Sequence, residues 1–112
     1  MSESLERWNY QVLMLVQALI GAISHNFRMV TISLEGGEWV TRFCLEEYDE
    51  EDIDEIEEVM CQYAAYQDGG LKSRYEVLVG NGGLPGYSEV GRVVYRRRES
   101  FGSSEGNSKK WD

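Results

Sequence analysis

The sequence predicts an α+β fold: a two-layer sandwich with two helices on one face of a four-stranded antiparallel sheet, in the order α-β-β-α-β-β. Three observations predict it. Two segments place apolar residues at helical spacing, two alternating segments meet at a Gly-Gly pair, and two further alternating segments follow the second helical one. The 112 residues are expected to form a single domain over 1–98, followed by a Ser/Gly/Lys-rich disordered tail over 99–112.

In chain order, Leu5, Trp8, Val12, Leu15, Val16, Leu19 and Ile23 follow the helical period, so a first helix is expected over 4–24, capped by Ser2 or Ser4. Ser24-His25-Asn26-Phe27 then breaks it, with Asn26 suited to the left-handed position past a helix end. From residue 27 to 47, two alternating runs flank Gly36-Gly37, a pair fit for a two-residue hairpin turn that needs positive φ. Pairing Glu35 with Glu38 sets Leu34 opposite Trp39, Ile32 opposite Thr41 and Val30 opposite Phe43, all on one face. The other face, with Thr31, Ser33, Val40 and Arg42, and Met29 beside Cys44, reads as solvent-facing.

Asp49 is a natural N-cap for a second helix over 50–67, which Asp68-Gly69-Gly70 ends. Tyr75, Val77 and Val79 alternate with Glu76 and Leu78 to give a third strand over 74–79. Residues 80–86 form a glycine-rich loop, and 89–97 reads as a fourth strand.

The second helix carries the chemistry. Residues 46–58, EEYDEEDIDEIEE, hold ten acids, and no Lys or Arg occurs between Arg42 and Lys72. Taking ten from the chain's 20 acids leaves ten against 11 bases elsewhere, so the whole net charge of -9 lies in this segment. Ile53, Ile56, Met60, Tyr63 and Ala64 recur through it at helical spacing, which makes it an ordered helix and not an acidic tail. At about 100° per residue, Glu51, Asp54, Glu55 and Glu58 fall opposite Ile53, Ile56 and Met60.

Glu51 with Glu55, and Asp54 with Glu58, are like-charge i, i+4 pairs, each costing about 0.2–0.5 kcal/mol on an isolated helix. A merely solvated face accounts for most charge runs, but one shaped by stability alone would carry Lys among the acids. The pattern points instead to a basic partner, met through Glu46, Glu47, Asp49, Glu50, Glu51, Asp54, Glu55 and Glu58.

Other chemistries lack their parts. Asp52-x-Asp54 suggests calcium, yet an EF-hand loop needs Gly at its sixth position, which is Asp54 counted from Asp49 and Glu57 counted from Asp52. The glycines at 80, 82, 83 and 86 are not in phosphate-cradle order, and no GK[ST] follows. Arg96-Arg97-Arg98, with Lys109 and Lys110, could touch nucleic acid, but the overall field repels phosphates and the run reads as an exposed strand end. Cys44, Cys61 and the lone His25 cannot assemble a usual zinc site.

General acid/base catalysis needs enclosed carboxylates, whereas these line a convex helix. No catalytic, metal or cofactor-binding residue is therefore expected, and the chain reads as a binding protein rather than an enzyme. The longest apolar stretch, 12–20, is too short for a membrane span, and the acidic N-terminus is unlike a secretory signal, so the expected location is the cytoplasm.

A small acidic α+β protein with an ordered carboxylate face resembles bacterial immunity proteins that neutralise nuclease toxins. More particularly, residues 17–58, QALIGAISHNFRMVTISLEGGEWVTRFCLEEYDEEDIDEIEE, look like immunity proteins of contact-dependent growth-inhibition systems. The likeness is one of general pattern over the first two thirds of the chain, without a short diagnostic motif. It implies a partner that is the C-terminal toxin domain of a large secreted protein, often a tRNA- or DNA-cleaving nuclease, blocked by binding. Such a nuclease is basic where it holds phosphates, and carboxylates could stand in for that backbone. The alternative is an acidic adaptor or chaperone-like protein docking another basic partner, or a self-associating scaffold. No direct contact with nucleic acid or membrane is expected, and nothing in the sequence marks an oligomeric state.

Overall fold

A computed structural model of the chain describes residues 4–67, 69, 71–85 and 91–99. Ser4 begins the first helix, its Oγ accepting the Arg7 backbone N–H at 3.2 Å. That helix, α1, runs Leu5–Leu19 and stops short of the expected residue 24. Ile20 turns extended at ψ 123 and Gly21 takes φ 83, so Gly21, and not Asn26, occupies the left-handed position. A side chain there would meet its own backbone, which is why the stop falls on a glycine.

The hairpin β1 (Phe27–Glu35) and β2 (Glu38–Leu45) turns through Gly36 and Gly37 at φ 59 and 79. Its register is the expected one: Glu35 faces Glu38, Leu34 faces Trp39, Ile32 faces Thr41 and Val30 faces Phe43. Those apolar residues, with Phe27 and Leu45, meet Leu15, Ala18 and Leu19 of α1 in one core. Trp8 packs edge-on against Trp39, centroids 4.9 Å apart.

The second helix, α2, spans Glu50–Ala65 and lays Ile56, Val59 and Tyr63 on the same face of the sheet. Two strands follow, β3 (Ser73–Val79) and β4 (Arg92–Arg96), and the sheet order is β3-β2-β1-β4. The sheet is mixed, which corrects the all-antiparallel expectation: β3 lies parallel to β2, with Phe43 beside Val77 and Leu45 beside Val79. The reason is the connection. A helix of 16 residues between two strands returns the chain to the end where it started, as a parallel neighbour requires.

β4 pairs antiparallel with β1, so β3 and β4 run the same way at opposite edges. The chain between them has to pass from one edge to the other, and of its described part Gly80 and residues 82–85 line a cavity with Arg28, Cys44, Leu78 and Val79 on the face opposite the helices. That face is consequently not solvent-facing as expected: Met29, Thr31, Val40 and Cys44 are buried there. Val40 has Arg74 beside it on β3 and Arg42 two residues along, long aliphatic stems that shield it. Where the crossing chain rejoins the sheet, a Cβ on Gly91 would stand 2.4 Å from the Ile32 carbonyl oxygen and 2.8 Å from Ser33 Cα, so only glycine fits.

The expected fourth strand at 89–97 is shorter, and residues 89 and 90 lie outside the described ones. Residues 100–112 of the expected tail also lie outside them, but Glu99 belongs to the domain: its Oε1 is 2.7 Å from Arg28 Nη2 and both side chains are buried. Among the described residues, no helix is long and apolar enough to cross a membrane.

Candidate functional site

The acidic helix forms where Asp49 Oδ1 accepts the Asp52 backbone N–H at 3.1 Å, and Glu50, Glu51 and Asp52 fill its first turn, where the helix dipole favours negative charge. Its buried positions are Asp52, Ile56, Val59 and Tyr63, spaced i, i+4, i+7, i+11. Ile53 and Met60 flank that stripe half-exposed, and Val59, which the sequence reading passed over, lies at its centre. Glu50, Glu51, Asp54, Glu55, Glu57 and Glu58 all face solvent, so the expected face exists and also includes Glu57.

Asp52 is the exception in the run, an acid turned inward. Ser24 Oγ donates to its Oδ1 at 3.0 Å and Asn26 Nδ2 to its Oδ2 at 2.9 Å. Asn26 also donates to the Glu47 carbonyl at 2.8 Å and accepts the Glu47 N–H at 3.0 Å. These bonds fix the entry of α2 against the end of α1. At the other end of α2, the buried Tyr63 hydroxyl donates to Gln11 Oε1, and burial raises that phenol's pKa above its ordinary value. The helix is therefore held at both ends by side chains of α1 and its loop.

The electrostatics separate two groups of acids. Glu35, Glu38 and Glu76 are tied to Arg42 and Arg74 on the strand face, Glu99 to Arg28 and Arg97, and Glu46 to Arg97 at 2.9 Å. Glu47, Glu50, Glu51, Asp54, Glu55, Glu57 and Glu58 have no ion pair among the described residues. Of the eight expected contact residues, Glu46 is thus already neutralised and Asp49 is engaged as a cap. The other six project outward with their charge uncompensated. The arginines account for the asymmetry, since they serve the sheet face and the C-terminal segment.

A shallow hollow lined by Ser24, His25, Asn26, Glu47, Asp49, Glu51 and Asp52 borders this face. His25 is exposed and contributes its carbonyl, which accepts from Arg97 Nη1 at 2.7 Å. Among the described residues, no three His, Cys, Asp or Glu side chains are placed to hold a metal ion. Cys44 is buried, which pushes its thiol pKa up, while Cys61 is exposed on α2. What the arrangement offers chemically is a rigid convex array of carboxylates, suited to long-range attraction and hydrogen-bonded docking.

The sequence reading missed Arg28, which donates to the carbonyls of Gly80 and Gly82 at 2.8 Å each as well as to Glu99. Its one signal was a cation inside an otherwise apolar stretch of strand. No curated protein matches the chain. Residues 9–99 match the family described as MafI2 immunity protein, a span that runs from the second turn of α1 through every later described element to the Arg28–Glu99 pair. The chain belongs to the MafI2 immunity protein family.

Proposed function

We propose that this immunity protein binds and blocks a basic, nuclease-type toxin domain in the cytoplasm, as part of a contact-dependent growth-inhibition type of system, through the carboxylates of α2. The observation that supports this is the set of uncompensated acids on one ordered helix, in a chain whose other acids at the sheet are matched by arginine. An enzyme that cleaves nucleic acid presents cations where it holds phosphates. A rigid carboxylate array attracts those cations over about one Debye length, about 8 Å at physiological salt, and then occupies their place. Inhibition by this route needs no catalytic group on the inhibitor.

The test is the variant Glu51→Gln, Asp54→Asn, Glu55→Gln, Glu58→Gln, with association to the toxin domain encoded by the neighbouring reading frame measured across salt concentrations. Association should slow, and its salt dependence should flatten. Stability should stay equal or rise, because two like-charge i, i+4 pairs are relieved. Unchanged association at low salt would sink the role given to this face.

A further inference from the structure

Five large apolar side chains of α1 and its C-cap stand in solvent: Leu5 is 66% exposed, Tyr10 45%, Leu13 53%, Val16 37% and Ile20 72%. At the helical pitch, Leu5, Leu13, Val16 and Ile20 fall within one sector about 80° wide, which also holds the exposed Asn9, on the side away from the buried Gln11, Leu15 and Ala18. No Asp, Glu, Lys or Arg occurs between Arg7 and Arg28. A helix that is apolar on both sides is ordinarily covered on both, and a patch of this kind on an otherwise strongly charged protein marks an interaction surface.

We infer that this stripe is the apolar centre of the toxin interface, with the carboxylates of α2 as its charged flank. The two helices lie side by side on one face of the sheet, joined by Tyr10 Oη donating to the Tyr66 carbonyl at 2.8 Å and Gln11 Nε2 to Gln67 Oε1 at 3.0 Å. The stripe and the carboxylates both lie on the solvent side of this helix pair, with Glu6, Tyr10 and Gln17 of α1 between them. That combination selects the occupant. A second copy meeting this layer would bring two uncompensated carboxylate arrays toward each other, whereas a basic domain with exposed apolar residues satisfies both halves at once.

The inference rests on the reading of the chain as a toxin-binding protein, and its two halves, the stripe and the carboxylates, are tested by separate variants. The two halves of the surface do different work. Charges at the flank set how fast the partners meet, and desolvated apolar contacts at the centre set how long they stay.

The experiment measures association and dissociation rates of the toxin domain from the neighbouring reading frame against the parent chain, the α2 quadruple variant and the double variant Leu13→Gln, Ile20→Gln. Both double-variant positions are exposed, so its unfolding midpoint should match the parent's, which separates a binding loss from a folding loss. The expected result is dissociation faster by about 100-fold in the double variant with association within about threefold of the parent, and the reverse pattern in the quadruple variant. A silent quadruple variant beside a weakened double variant would remove the carboxylate role and leave the stripe standing. Dissociation of the double variant within about threefold of the parent overturns the inference, as does a parent dimer that the double variant converts to monomer without loss of toxin binding. A parent chain that does not bind the toxin domain at all would overturn the toxin-binding reading itself.

Discussion

Arg28→Met removes a guanidinium that is 6% exposed and makes four hydrogen bonds, two to Glu99 and one each to the carbonyls of Gly80 and Gly82. Methionine fills most of the volume but leaves the Glu99 carboxylate, itself 9% exposed, without its main partner, and two loop carbonyls without a donor. Removing one member of a buried pair costs about 3–5 kcal/mol. Arg97 still reaches Glu99 Oε2 at 3.0 Å, so the lower end, about 3 kcal/mol, is expected. Urea unfolding followed by tryptophan fluorescence should show a midpoint lower by about 1–3 M.

The double variant Arg28→Met, Glu99→Leu should recover much of that loss, since the orphaned charge is gone. The pair also predicts a pH dependence. The Arg28 hydrogen bonds hold the Glu99 carboxyl below its ordinary 4.5, so this stabilisation is complete above the unfolded value and is lost as pH falls through the lower folded one. The double variant should lack that component, while both proteins keep the component from Glu35, which the Arg42 and Ser33 hydrogen bonds lower to about 2. A single variant that loses under about 1 kcal/mol, or a double variant whose loss equals the sum of the two singles, would refute the account of Arg28 as the residue that holds the crossing chain and the C-terminal segment.

Two further outcomes are expected. Gly91→Ala should cost about 1–3 kcal/mol in thermal unfolding, because its Cβ would strike strand backbone, while Gly82→Ala, which meets nothing within 4 Å, should leave the melting temperature in place. Ile56→Ala should cost about 2–5 kcal/mol by chemical denaturation, and Met60→Ala clearly less, since Ile56 is wholly buried and Met60 is half-exposed at the edge of the α2 stripe.

The hairpin was readable to the residue because Gly36-Gly37 fixes a two-residue turn and alternation then fixes every pair from Glu35–Glu38 to Val30–Phe43. The carboxylate face was readable because a helix converts spacing into direction without outside help. What local pattern could not convey was decided by distant chain. The direction of β3 follows from the α2 crossover, which β-strand alternation does not encode. Cys44 shares its cavity with residues 82–85, which come after β3, and Val40 is shielded by Arg74 of β3, so neither burial is encoded in the hairpin itself. Asp52 looked like its acidic neighbours until Ser24 and Asn26 came within hydrogen-bond reach, and Ile20 with Gly21 ended α1 before the apolar period itself had run out at Ile23.

The position of β4 has a consequence for how the protein is made. β1 acquires its first neighbour through a two-residue turn, but its second comes from the last strand described, and Arg28 waits for Glu99, later still. While the chain emerges from the ribosome, α1, the hairpin, α2 and β3 can all be complete with one side of β1 still open and a guanidinium still unmatched beside it. Closing β4 is a long-range step, of the kind that slows folding and leaves an edge available for wrong pairings in the meantime. In this member of the MafI2 immunity protein family, both sides of β1 are therefore paired only after the last strand described has been synthesised.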